Sequence, residues 1–169
     1  MPPTLTFPIV ALPGQSPVRK RVPLVLELRT RRGLWVAVNF RLDTGAELCL
    51  VPLALAAPRT PANPVGRDLA TDTTVRRVAR TLADGRTELV DLQFGTFTAR
   101  FPHLPRFVFT WECVFDPALA PTATALLGIG GRVLSDVALA LCGPSREHPA
   151  GALAVAVLVS PVPLFPPAV

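Results

Sequence analysis

Residues Phe40 to Pro52 read Phe-Arg-Leu-Asp-Thr-Gly-Ala-Glu-Leu-Cys-Leu-Val-Pro. A carboxylate, Asp43, stands at the end of one apolar run, on a tight glycine turn, and a second apolar run leaves it. The arrangement gains chemistry when a second carboxylate is brought against the first. Two buried carboxylates held close cannot both ionise, so they share a proton. One then acts as base on a bound water while the other donates to a carbonyl oxygen. Gly45 would let two such loops approach without side-chain clash, and the Thr44 hydroxyl can hydrogen-bond across the pair. The plainer role for Asp43 is that of a turn aspartate capping its own loop. Asp72-Thr73-Thr74 is a weaker imitation that lacks both the glycine and the apolar approach, and it reads as an ordinary turn.

Other chemistries have less support. The sequence contains neither a G-x-S-x-G elbow nor a Walker A loop. Gly128-Ile129-Gly130-Gly131 begins like a dinucleotide loop, but Val133 occupies the place of the third glycine and no βαβ pattern surrounds it, so these glycines read as structural. Cys49, Cys113 and Cys142 form no CxxC pair and lie beside apolar residues, which predicts buried free thiols and suits a reducing compartment. His103 and His148 are far apart in proline-flanked sequence, so no metal or cofactor is expected.

Seventeen basic and twelve acidic residues give a net charge of +5, and Lys20 is the one lysine. The arginines occur in short clusters, 19–21, 29–32 and 76–80, without tyrosine between them. A nucleic-acid groove would need a basic stripe with aromatic platforms, so solvated strand faces are expected instead. The N-terminal residues lack a basic start and do not read as a signal peptide. The late apolar run Ala152 to Val159 has eight residues, too few to cross a bilayer as a helix. A cytoplasmic protein without membrane association is the expectation.

At 169 residues the chain fits one domain, 1–169, and twenty prolines argue against a helical bundle. Val22–Thr30 and Leu34–Leu42 flank Arg32-Gly33 and predict a β-hairpin, with Val36, Val38 and Phe40 on one face of the second strand. Leu48–Val51 is a strand ended by Pro52, Leu53–Ala57 a helical turn, and 58–66 a loop. Thr73–Thr81 and Arg86–Phe94 flank Leu82-Ala83-Asp84-Gly85, and Asp-Gly between two strand-like runs predicts a second hairpin. Gly95 is expected to start a turn. Phe97–Phe101 and Phe107–Phe115 are further strands, Arg132–Cys142 a short helix then a strand, and Ala152–Val159 a last strand. The proline-rich ends are expected to be irregular. Many short strands with regular turns predict an all-β barrel or sandwich.

Together, Asp43-Thr44-Gly45-Ala46 after two apolar-run residues, a short apolar strand ending in Pro52, and the later Leu126-Leu127-Gly128 resemble the retropepsin-like aspartic proteases over about residues 20–142. The resemblance implies an acid-protease β-barrel with a flap hairpin and one short helix. It implies that Asp43 is the catalytic aspartate, that Thr44 makes inter-loop hydrogen bonds, and that Gly45 contacts substrate backbone. Ala46 and Glu47 follow the motif, and an acidic residue at the latter place can bind substrate amides or an arginine. Leu82, Ala83, Asp84 and Gly85 would form the flap tip, and Leu126, Leu127 and Gly128 would pack under the catalytic loop. Ile129 departs from the family, which commonly has a polar or charged residue there.

One copy of the motif is present, so the resemblance implies a homodimer whose twofold axis sets the two Asp43 side by side. The expected function is an aspartic endopeptidase acting on polypeptide substrates without metal or cofactor. The alternative is a non-catalytic retropepsin-like module for dimerisation or peptide binding.

Overall fold

The computed structural model describes residues 1–11, 20–81 and 84–163. Its strands in chain order are β1 (Thr4–Pro8), β2 (Val10–Ala11), β3 (Lys20–Arg21), β4 (Pro23–Arg29), β5 (Trp35–Leu42), β6 (Cys49–Pro52), β7 (Thr73–Thr81), β8 (Thr87–Arg100), β9 (Val108–Asp116), β10 (Ala125–Leu127), β11 (Val137–Cys142) and β12 (Ala152–Val157). Two helices of four residues each, α1 (Leu53–Ala56) and α2 (Val133–Asp136), complete it, one more than the resemblance implies. None of the described helices is long and apolar enough to cross a membrane.

The first hairpin forms as its pattern requires. In β4 the side chains alternate, with Leu24, Leu26 and Leu28 buried and Pro23, Val25 and Arg29 exposed. Period-two alternation puts one face of a strand into the core. β5 pairs with it from Pro23↔Arg41 to Arg29↔Trp35 and buries Val38 and Phe40. Gly33 closes the turn with φ +78°, a region that an L side chain rarely enters. Its N–H donates to Thr30 O at 2.9 Å, and the Leu34 N–H reaches the Thr30 hydroxyl at 3.0 Å.

Six strands close a barrel in the order β4-β5-β10-β6-β9-β8, with β8 returning to β4 through Glu27↔Arg100 and Leu28↔Ala99. The seam is held by more than backbone. Arg100 Nε donates to Glu27 Oε2 at 2.6 Å, and its guanidinium lies 4.3 Å from the centre of the Trp35 ring. Inside are Phe40, Phe97, Phe109, Trp111 and Phe115, all at 1% exposure or less, with Phe109 stacked on Trp111 at 4.9 Å between centroids. Aromatic burial of this extent dominates the energetics of a small core.

β7 extends the barrel sheet from β8 in register Thr73↔Gly95 to Thr81↔Thr87, which is the second predicted hairpin. Gly95 does not start a turn. It lies within the continuous strand β8, paired to Thr73 and Cys113, because a Cβ there would stand 2.6 Å from Asp72 O. Glycine marks a close backbone approach rather than a bend.

A three-stranded antiparallel sheet, β1-β12-β11, packs against the same core. The N-terminal residues expected to be irregular therefore include a strand. Leu5 and Phe7 alternate toward the interior, and the Phe7 ring lies 5.8 Å from Phe101. Pro8 is accommodated because it ends the strand. Cys142, expected to be buried, is exposed: it closes β11 at the edge of this sheet, where Ala138 and Ala140 also face out. Cys49 and Cys113 are buried as expected.

Candidate active site

Asp43 follows the last residue of β5, and the loop 43–48 leads into β6. What holds this loop is the strand between them. β10 runs parallel to β5, with Leu126↔Arg41 and Leu127↔Leu42, and antiparallel to β6, with Leu126↔Leu50. The Asp43 N–H donates to Leu127 O at 2.9 Å, and the Ile129 N–H donates to Ala46 O at 3.0 Å. Leu126-Leu127-Gly128 thus lies directly against the Asp43 loop. Leu127 is buried and Leu126 half-buried.

Close approach is possible because glycines line the contact. A Cβ on Gly128 would stand 2.6 Å from Leu48 C and 2.8 Å from Ala46 O. A Cβ on Gly130 would meet the Glu47 backbone, its carbonyl carbon at 3.0 Å and its oxygen closer still. Beyond them Gly131 and Arg132 both have positive φ, 56° and 75°, and turn the chain into α2. The Gly131 carbonyl accepts the Glu112 N–H at 3.0 Å, tying this segment to β9. The structural role given to these glycines by their context is thus seen in detail, although their partners were not legible in the sequence.

The loop itself is tight. The Ala46 N–H donates to Asp43 O at 3.2 Å and the Gly45 N–H to Asp43 Oδ1 at 3.0 Å. The second bond is an Asx-type turn contact. It uses one carboxylate oxygen; Oδ2 has no hydrogen-bond partner among the described residues. Asp43 and Ala46 are half-buried, while Thr44, Gly45 and Glu47 are exposed. No family model matches the chain, and no curated protein matches it.

Beneath the loop Cys49 and Cys113 face each other in register on the parallel strands β6 and β9. Burial pushes the Cys49 thiol up to about 11, and burial together with the neighbouring Cys49 raises that of Cys113 further. Both are neutral packing groups at ordinary pH. On the far side Trp111 Nε1 donates to Asp136 Oδ2 at 2.8 Å, so α2 is clamped to the barrel wall.

The remaining predicted site residues belong to the β7–β8 hairpin. Asp84 and Gly85 sit at the tip of the β7–β8 hairpin, and Leu82 and Ala83 lie outside the described residues. The tip's bonds are internal. Asp84 accepts the Arg86 N–H at 3.0 Å and its Nε at 2.6 Å, contacts that hold its carboxyl below the usual range. Gly85 has φ +82°.

Proposed function

We propose that the chain is an aspartic endopeptidase of the retropepsin-like type, active as a homodimer. The observation that carries this reading is the Asp43 loop seated on β10. A half-buried carboxylate with one free oxygen is held at a backbone junction fixed from two sides, and its neighbours Thr44, Gly45 and Glu47 are exposed. One such carboxylate cannot serve as acid and base together. A twofold axis through this surface would bring in the second, and the pair would then share one proton. The ionised member takes a proton from a water between them as the water attacks the peptide carbonyl carbon. The protonated member donates to the carbonyl oxygen. Thr44 bridges the loops, Glu47 binds substrate amides or an arginine, and the β7–β8 hairpin covers the bound chain.

The test is cleavage of a diverse peptide mixture between about pH 3 and 8 by wild type and Asp43→Asn side by side. Cleavage by wild type alone, with specific activity falling on dilution as dimers dissociate, is the expected result. No cleavage by a folded dimer would sink the reading. A second reading, a non-catalytic module for dimerisation or peptide binding, is favoured by Ile129, an apolar half-buried residue whose N–H is committed to Ala46. It requires Asp43→Asn to leave peptide binding and dimerisation unchanged and cleavage absent from both proteins.

A further inference from the structure

A cavity of about 470 Å³ opens beside β4 and β5. That volume is within the range, roughly 300–1,000 Å³, of pockets that take small ligands or side chains. Its reachable apolar lining is Leu5, Phe7 and Val25, half-buried or exposed, backed by the core residues Phe40 and Phe101. Arg21, Arg41 and His103 also line the cavity, and no carboxylate does among the described residues. The contrast with the recess at Arg32, Arg59 and Arg67 is informative, because Asp68 sits in that one. Neither the Arg21 nor the Arg41 guanidinium has a hydrogen-bond or ion-pair partner among the described residues, whereas those of Arg31, Arg77, Arg86 and Arg100 each have a carboxylate.

Arg41 lies two residues before Asp43, and Leu126 on β10 stands opposite it. Along an extended strand two residues rise about 7 Å. On β5 the cavity is lined from Arg41 to Asn39, a further two residues away. A polypeptide laid across Asp43 would thus reach the recess within two to four residues of the bond at that carboxylate. A guanidinium binds a carboxylate through parallel N–H donors, and an apolar lining nearby excludes the water that would otherwise weaken the bond.

We propose that this cavity selects polypeptides bearing a large apolar side chain next to a carboxylate. The apolar group packs against Leu5, Phe7 and Val25 and the carboxylate is bound by Arg41 and Arg21. Its use as a substrate-selecting site rests on the peptidase reading, but binding can be measured without cleavage. The cavity's place beside β5, the strand that leads into Asp43, favours a polypeptide over a lipid.

The experiment uses the full chain carrying Asp43→Asn, and fluorescein-labelled octapeptides containing Phe-Glu, Phe-Gln or Ala-Glu in an otherwise alanine background, read by fluorescence anisotropy. The Phe-Glu peptide should bind about tenfold more tightly than either control. Arg41→Gln should remove the preference for Glu over Gln, and Arg41→Glu should turn it toward a Phe-Lys peptide, a gain that misfolding cannot imitate. Equal binding of the Glu and Gln peptides would overturn the proposal, as would a preference that survives Arg41→Gln combined with Arg21→Gln. Dodecanoate binding more tightly than any peptide, with sensitivity to Arg41→Gln, would overturn it in favour of a fatty acid. Acid-selective binding without wild-type cleavage would remove the peptidase reading alone; cleavage without acid preference would remove this one alone.

Discussion

Gly128→Ala is the sharpest probe of the way β10 supports the Asp43 loop. The added Cβ would lie 2.6 Å from Leu48 C and 2.8 Å from Ala46 O, with Leu48 O nearer still. All three atoms are backbone, so no side chain can rotate away. Leu48 leads into buried Cys49 and Val51, and Ala46 O already accepts the Ile129 N–H, so both segments are pinned. Overpacking against a rigid wall costs roughly 1–3 kcal/mol, and the upper half of that range applies here. For a chain of this length 2–3 kcal/mol lowers the melting temperature by about 4–12 °C. Gly143→Ala is the control, since nothing lies within 4 Å of the Cβ it would add. Thermal unfolding followed by circular dichroism measures both. A Gly128→Ala protein melting within about 1 °C of wild type would refute the argument that close backbone packing at this residue seats the loop.

Four further outcomes are expected. Asp136→Ala should cost about 1–3 kcal/mol in urea unfolding because it strands the buried Trp111 indole N–H, while Asp136→Asn, which keeps an acceptor, should cost less. A thiol reagent at neutral pH should titrate one cysteine, the exposed Cys142, in the native protein and three after unfolding. Because the folded-state pKa of Cys49 is raised to about 11 and that of Cys113 is raised too, the unfolded chain loses these protons first. Stability from these thiols is therefore complete below the ordinary thiol range and should fall as pH rises through about 9 toward 11, with a shallower slope in Cys49→Ala. Arg100→Lys keeps the charge beside Glu27 but loses the planar face over Trp35, and should cost about 0.5–1 kcal/mol at the barrel seam.

Local pattern accounts for the parts of the fold that the sequence made legible. The β4–β5 hairpin follows from alternating leucines and a glycine at positive φ, and the β7–β8 hairpin from Asp84-Gly85 between two strand-like runs. Both are contacts between neighbours in the chain. The strand at Thr4–Pro8 was hidden because its two inward residues, Leu5 and Phe7, are flanked by prolines, and its partner β12 lies some 150 residues away. Gly95 is ambiguous in the sequence for a related reason. A glycine between strand-like runs signals a turn or a close approach equally well, and the choice here was made by Asp72 across the ladder.

The site divides the same way. Asp43, Thr44, Gly45 and Glu47 announce themselves by residue type and spacing, and so do Leu126-Leu127-Gly128, because a turn carboxylate and an apolar pair before glycine are local chemical signals. Gly130 against Glu47, Asp136 under Trp111, and Arg21 and Arg41 around one apolar lining left no such signal. The sequence by itself determined that the chain alternates into short strands and carries one Asp-Thr-Gly turn between two of them, since side-chain periodicity and turn chemistry act over a few residues. Only the tertiary structure decided that β10 enters between β5 and β6, that β8 returns to close the barrel on β4, and which arginines are left facing a cavity without a carboxylate. Those outcomes depend on which distant backbones can approach and which distant charges meet, and no window along the chain contains both partners.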